Sequence, residues 1–460
     1  MSNKTEIEES RRSGTTQFDA SRAAWLLAAL AFLVRGAVGF ASLESFEPDP
    51  DAYRAIAEGL AVSNVYGLLT ESGEVTPTAF RPPLYPFSLS WLVKDGELSA
   101  VSVAVFHALL GALTVVMTFL ASRRIFGPSA GRSNAFAALL VLVDPILLHQ
   151  STEVMTETLA TTLTVCLLWL WGESIRSSSM FKGGLLGLAL AMAYLCRPTF
   201  LVWGILLCAG WLAAQVRASE RRTWFRFGLM VGLFSASVAA WTLRNVCAVG
   251  YPVWATTHGG YTLLLANNPS FYEYLQEGAW GEAWDSSSFQ LAYLHRFDGD
   301  PKTDAFWQQD WRGPSAIDRG EVFGINEHDD DRLAYEAAKA TIYRQPRMFV
   351  WSCLVRATRL WSPFPHVTQQ RSRLVIAAVG GWYVALYVMV LIGVVRICRA
   401  PRFHWRIWWP FAALFFTLSA VHAVYWSNIR MRAPAIPALA ILASAAIKPK
   451  ALEVSDVVDR

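Results

Sequence analysis

Charge is scarce in these 460 residues: Asp, Glu, Lys and Arg make up 17%, against 54% hydrophobic residues, 20 Trp and a mean hydropathy of +0.31. Soluble globular chains carry about 25% charged residues, so an ordinary soluble domain is excluded and a polytopic membrane protein is indicated. Cysteine is sparse too. The six present (Cys166, Cys196, Cys208, Cys247, Cys353, Cys398) show no C-x-x-C spacing and mostly lie inside apolar runs, which excludes a disulfide framework or zinc site and leaves small buried hydrophobes. The glycine fingerprint of a nucleotide-binding domain is missing, and no internal repeat divides the chain. Residues 1–20, MSNKTEIEESRRSGTTQFDA, lack an apolar core and a small-residue cleavage site, so the first apolar run is expected to be a retained signal anchor. The net charge of +4 comes from Lys and Arg gathered between apolar runs. No basic face with interleaved aromatics exists, which excludes nucleic acid as a partner.

What is present is a series of apolar runs. A helix needs about 20 apolar residues to cross the hydrocarbon core, and that length predicts spans near 23–42, 99–121, 133–149, 155–173, 182–195, 199–215, 227–243, 374–397, 407–425 and 433–448. The expected fold is therefore an all-α polytopic bundle of about ten, at most eleven, transmembrane helices. Basic connectors (Arg11 and Arg12, RRIFGPSAGR, RASERRTWFR, RICRAPRFHWR, KPK) fall on one side if both ends are cytoplasmic. Residues 1–22 and 449–460 are then cytoplasmic tails of a membrane domain at 23–448. Two larger segments face outward: loop 43–98, and residues 244–373. The second holds a Trp- and Asp-rich stretch, 277–313, expected to fold as a cap, and ends in YRQPRMFVWSCLVRATRLWSPF, whose alternation of Arg with apolar residues predicts an interfacial helix.

Five arginines break the positive-inside pattern: Arg81, Arg197, Arg244, Arg430 and Arg432 all sit at outer span ends or in outer loops. Snorkelling to headgroups accounts for any one of them. Five on one face, each within two residues of Pro or Asn, suit a phosphate better, because guanidinium forks donate paired hydrogen bonds and keep their charge. Acids recur on that face: Asp49 and Asp51 in FEPDPDAYRAIAEGL, and Asp144, Glu153 and Glu157 in VDPILLHQSTEVMTETLATTL. An ionisable residue inside an apolar run, as Glu157 is, needs a protein partner and marks a functional site, whereas Glu153 is equally explained as a helix cap. In TAFRPPLYPF the prolines fix the entry of Arg81 and Tyr85 into an apolar stretch. In WTLRNVCAVGYPVWATTHGGYTLLLANNP, which includes Asn245 and His258, Gly259–Gly260 and Asn-Asn-Pro mark turns that would let backbone approach a ligand.

In order, DPDAYRAIAEGL, RPPLYPF, STEVMTETLA, LCRPTFL, WTLRN, THGGYTLLLANNP and RMRAPAIPALAILA resemble the GT-C superfamily of polytopic glycosyltransferases, especially bacterial relatives of dolichyl-phosphate-mannose protein mannosyltransferases, lipid A aminoarabinose transferases and rhizobial lipopolysaccharide sugar transferases. The resemblance spans residues 49–443. It implies a polyprenyl-phosphate sugar donor, a lipid, glycan or protein acceptor, a bacterial inner membrane with the site on the periplasmic side, and inversion at the sugar. It also implies a catalytic carboxylate opening the first outer loop, matched by Asp49 or Asp51, with Asp51 free to cap the helix near Tyr53 while Asp49 faces substrate. Arg81, Tyr85, Glu157, Arg197, Arg244, Asn245, His258, Arg430 and Arg432 are the candidate substrate-binding residues. Asp49-Pro50-Asp51 could also hold a divalent cation, but no cofactor is required by the sequence. A transporter or flippase of a lipid-linked anion is the alternative.

Overall fold

The computed structural model describes residues 2–70, 73–176, 179–215, 221–278, 282–294, 326–366, 372–401 and 403–447. In the described residues the helices are α1 (Ser2–Ala41), α2 (Tyr53–Ser63), α3 (Leu84–Ser90), α4 (Ala100–Phe126), α5 (Gly131–Leu142), α6 (Pro145–Gln150), α7 (Glu157–Ile175), α8 (Met180–Cys196), α9 (Thr199–Gln215), α10 (Arg221–Ala248), α11 (Gly259–Ala266), α12 (Pro269–Glu277), α13 (Ser287–Leu294), α14 (Glu327–Arg344), α15 (Pro346–Trp361), α16 (Arg373–Cys398), α17 (Trp405–Val424) and α18 (Ile436–Ser444). The all-α expectation needs one amendment. Gly67–Leu69 (β1) and Val75–Pro77 (β2) pair antiparallel within the first outer loop, around a turn where Gly73 has φ +84°.

Seven helical segments are long and apolar enough to cross a membrane: Ala20–Ala41, Ala100–Phe126, Glu157–Ile175, Arg221–Ala248, Arg373–Cys398, Trp405–Val424 and Ile429–Ile447. Met180–Cys196 and Thr199–Ala214 are shorter apolar helices. The remaining expected span, 133–149, is not one helix. It breaks at Asp144-Pro145 into α5 and α6, because Pro145 has no N–H to continue the ladder and the residue before it is pushed to an extended ψ of 123°. Arg35 of α1 bridges the break by donating to the carbonyls of Val141 and Leu147 at 3.1 and 2.9 Å.

Without a hydrophobic drive between helices in lipid, small residues and close packing hold such a bundle together. Gly393 of α16 shows this: a Cβ there would meet the Leu442 carbonyl oxygen of α18 at 2.0 Å. Elsewhere α1 packs on α4, α4 on α5 and α7, α8 on α7 and α10, and α17 on α9 and α15.

The two ends of the bundle differ in charge. At one, Arg124 and Lys182 both grip Glu173 at 2.7 Å, Arg226 donates to the Ser174 carbonyl, and Arg406 donates to the Ala214 carbonyl. These are the connectors that sequence assigns to the cytoplasm. The opposite end carries the first outer loop and a cap of α11 to α14 with its own small core of Leu263, Leu264, Phe289, Ala334, Ala337 and Ala338. Most of the Trp- and Asp-rich stretch at 277–313 lies outside the described residues. The stretch expected to lie at the interface forms α15. It buries Ser352, Val355, Arg356 and Leu360, and exposes Val350, Trp351 and Leu354 on its other side.

Candidate active site

The first acid, Asp49, precedes α2, and its carboxylate does what an acid before a helix commonly does. Oδ2 accepts from the Ala55 N–H at 3.0 Å. Oδ1 is buried without a hydrogen-bond partner. Asp51 makes an ion pair with Arg81, whose Nε also donates to the Asp51 carbonyl at 2.7 Å. Asp51 therefore does not cap α2, the role expected of it. Asp49 instead ties down the first turn of α2 with one oxygen and keeps the other open. Ala52, between Asp51 and Tyr53, holds a left-handed φ of +56°.

Arg81 also lies over the rings of Phe80 (4.4 Å) and Tyr53 (5.5 Å). Burial pushes the Tyr53 phenol up to about 12, against the opposing pull of Arg81, so it remains an O–H donor at neutral pH. Tyr53 lies within electrostatic reach of Asp51, Arg81, Glu157 and Arg197. That brings Asp51 of the loop toward the ends of two spans.

Those ends are built by chain punctuation. Thr156 is the N-cap residue of α7, placing Glu157 in its first turn, where the helix dipole favours a negative charge. Pro198 forces Arg197 out of α8 into an extended conformation at its C-cap. Asn428 accepts from the Arg430 N–H and starts a 3-10 turn, Ile429–Ala435. The result is one cluster: Glu157 Oε1 lies 3.4 Å from Arg197 Nη1 and 3.8 Å from Arg430 Nε, and Arg430 Nη1 lies 3.9 Å from Glu153 Oε2. Arg197 Nη1, Arg430 Nε and Glu157 Oε2 are buried yet close no hydrogen bond. Arg430 is also within electrostatic reach of Asp51 and Tyr53.

His422 adds a group that the sequence reading missed. Its Nδ1 faces the Trp426 carbonyl at 3.1 Å. A carbonyl only accepts, so Nδ1 carries the proton in a neutral ring and Nε2 is the bare acceptor. Nε2 is buried without a partner, near Arg197 and Glu157. The one available signal was an ionisable residue inside an apolar run. Glu153, readable as a cap, is instead an ion-pair partner of Arg430 and His149.

Other expected residues stand elsewhere. Arg244 donates to the carbonyls of Thr78 (2.6 Å) and Tyr66 (2.5 Å) and stacks over Tyr66 and Trp241, so it pins the hairpin. Asn245 is buried, accepting from Arg244 and donating to the Val253 carbonyl. Tyr85 is core, bonded to His107 at 2.9 Å. His258 packs edge-on against Phe80, and burial beside Arg81 holds its imidazole well below the usual histidine range. Arg432 is fully buried, its guanidinium 4.1 Å over the Tyr383 ring. Gly259 and Gly260 form no turn toward a ligand. They open α11 hard against α14, where a Cβ on Gly260 would meet the Asp331 carbonyl oxygen at 2.0 Å. Among the described residues no three His, Cys, Asp or Glu side chains converge as a metal would require.

The described residues form a multi-helix membrane bundle with acids and arginines gathered at one end. The chain shares this fold with the oligosaccharyltransferase AglB from Archaeoglobus fulgidus, solved with an inhibitory peptide and a dolichol-phosphate (TM-score 0.51, 13% identity, 94% of this chain and 50% of that one). More particularly, residues 81–241 match the family described as dolichyl-phosphate-mannose-protein mannosyltransferase. Similar folds with lower scores are ArnT from Cupriavidus metallidurans bound to undecaprenyl phosphate (0.41, 14%, 92% and 77%) and the arabinosyltransferase EmbB from Mycobacterium smegmatis (0.34, 16%, 91% and 40%). The chain spans half of the AglB chain it matches. No curated protein matches it in sequence.

Proposed function

We propose that this chain is a membrane glycosyltransferase that moves a sugar from a polyprenyl-phosphate donor to a lipid, glycan or protein acceptor, at the periplasmic face of a bacterial inner membrane. The observation that carries the reading is the pairing of two kinds of unpartnered buried atom in one cluster. Arg197 Nη1 and Arg430 Nε are donors suited to a phosphate, while Glu157 Oε2 and His422 Nε2 are acceptors suited to hydroxyls, and Asp49 Oδ1 is a further open acceptor in the first loop. A phosphosugar presents both. Burying such groups unpaired costs about 1–3 kcal/mol each, a cost that a bound substrate would remove.

An apolar cavity of about 610 Å³ supports a lipid-linked donor. It lies between α16, α17 and α18 and is lined by Tyr387, Val394, Phe411, Phe415, Leu439 and Leu442, among others. Tyr387 joins it to Arg432, two residues beyond Arg430. The family match and the shared fold favour a glycosyltransferase over a transporter or flippase.

In the reaction, Asp49 Oδ1 takes the proton of an acceptor hydroxyl or amine as that group attacks the anomeric carbon. The bond to the phosphate oxygen breaks, and Arg430 and Arg197 stabilise the charge left on the polyprenyl phosphate. A single displacement inverts the anomeric centre. The test incubates purified protein with radiolabelled polyprenyl-phosphate sugars and membrane extract. Wild type should transfer label and Asp49→Asn should lose at least about 100-fold of the rate; wild-type transfer by Asp49→Asn would sink the assignment of the base.

A further inference from the structure

The interior of the bundle holds a second set of charged groups that the proposed chemistry does not touch. Asp144, Tyr383 and Arg432 are all fully buried. The Tyr383 hydroxyl donates to the Asp144 carboxylate (3.0 and 2.9 Å to its two oxygens), Trp382 Nε1 approaches the same carboxylate at 3.4 Å, and the Arg432 guanidinium stacks on the Tyr383 ring. Arg432 Nη1 donates to the Leu360 and Ser362 carbonyls, while its Nε and Nη2 have no hydrogen-bond partner. For stability alone such a set is a poor choice, because well-packed apolar side chains commonly do as well or better than buried ions. Its value lies in what its ends hold.

Asp144 Oδ1 accepts from the Leu147 N–H at 3.0 Å and so starts α6. As the last residue of α6, Gln150 donates to Glu153 at 3.1 Å and its carbonyl accepts from Thr158, next to Glu157. Arg432 shares the 3-10 turn Ile429–Ala435 with Arg430. One end of the set therefore fixes the acids and the other fixes the arginine that meets them at 3.8 and 3.9 Å. Tyr383 is the link.

We propose that Asp144, Tyr383 and Arg432 are positioning residues that hold the Glu153/Glu157 side and the Arg430 side of the candidate site at a fixed separation, and so tune its grip on the phosphate of a polyprenyl phosphate. The proposal rests on the glycosyltransferase reading. Tyr383→Phe removes only the hydroxyl and keeps the ring under Arg432. Loss of a hydrogen bond to a charged group predicts a Kd for undecaprenyl phosphate raised about tenfold, with the KM of the acceptor unchanged. In an Arg430→Ala background the same substitution should add nothing, since its effect runs through Arg430.

The measurement is undecaprenyl phosphate binding to purified wild type, Tyr383→Phe, Arg430→Ala and the double variant, with thermal melting of each. An unchanged Kd in Tyr383→Phe overturns the proposal, as do additive effects in the double variant or an equal rise in the acceptor KM. Should Tyr383→Phe fail to fold, Trp382→Phe, which removes the weaker bond to Asp144, must show a smaller rise of the same kind. Wild type that binds no undecaprenyl phosphate would instead overturn the glycosyltransferase reading beneath it.

Discussion

Ala52 holds a left-handed conformation without being glycine, at a cost of about 1–2 kcal/mol. Such strain is retained where the surroundings over-determine it, often at functional sites, and here it directly follows two aspartates with different tasks. Asp51 is neutralised by Arg81, whereas Asp49 keeps Oδ1 open. Asp51→Asn is therefore expected to lower transfer less than Asp49→Asn in the same radiolabel assay, and to lower thermal stability more. The reverse order would move the catalytic role to Asp51. The sequence pointed to the loop and to Arg197 and Arg430, because ionisable groups at span ends are visible as breaks in an apolar pattern. It could not separate the two aspartates, since which carboxylate ties down the first turn of α2 depends on a local backbone turn that DPDAY does not specify.

At the scale of elements, the cap is fastened to the membrane domain by carboxylates at the start of α14. Glu327 accepts from Thr78 Oγ1 and from the Ala79 N–H at 2.7 Å, and Asp331 accepts from the Gly260 N–H at 2.6 Å. Burial, with the like charges of Asp330 and Glu327 adding to it and the Gly260 bond opposing it, pushes the Asp331 carboxyl up to about 6. Because this value lies above that of the unfolded chain, the folded cap binds the proton more tightly. The stability it contributes is complete below about pH 4 and is lost as pH rises through about 6. Protection factors of residues 259–266, that is, exchange rates corrected for the intrinsic rate at each pH, should be higher at pH 5 than at pH 8, and Asp331→Asn should flatten that difference. Arg244 belongs to the same scale: Arg244→Ala frees the carbonyls on either side of the hairpin and should raise proteolysis within residues 64–78 while undecaprenyl phosphate still binds. Long apolar helices were readable from composition, as α4, α10, α16 and α17 show. The hairpin was missed because two three-residue strands carry almost no periodicity, and the span at 133–149 was read through Asp144-Pro145 because its apolar content continues on both sides.

For the whole molecule, the charge asymmetry between the ends makes an orientation testable with residues already present. Cys247, at the end of α10 beside the outer loops, and Cys398, at the end of α16 beside the basic connectors, are both exposed. A membrane-impermeant maleimide should label Cys247 from the periplasmic side of sealed cells and Cys398 only in inverted vesicles. Labelling of both from one side would refute the topology. Cysteines introduced at Asp49 and Arg430 should react from the periplasmic side alone, whereas a transporter would expose them to both.

The cavity between α16, α17 and α18 also bears on kinetics. Its walls are almost wholly apolar and offer little to a molecule arriving from water. A donor that enters along them comes sideways out of the lipid, so its supply is set by its mole fraction in the film around the protein and not by its amount per litre. Diluting a fixed quantity of donor with inert detergent should then slow transfer in proportion, even though every bulk concentration except that of the detergent is unchanged.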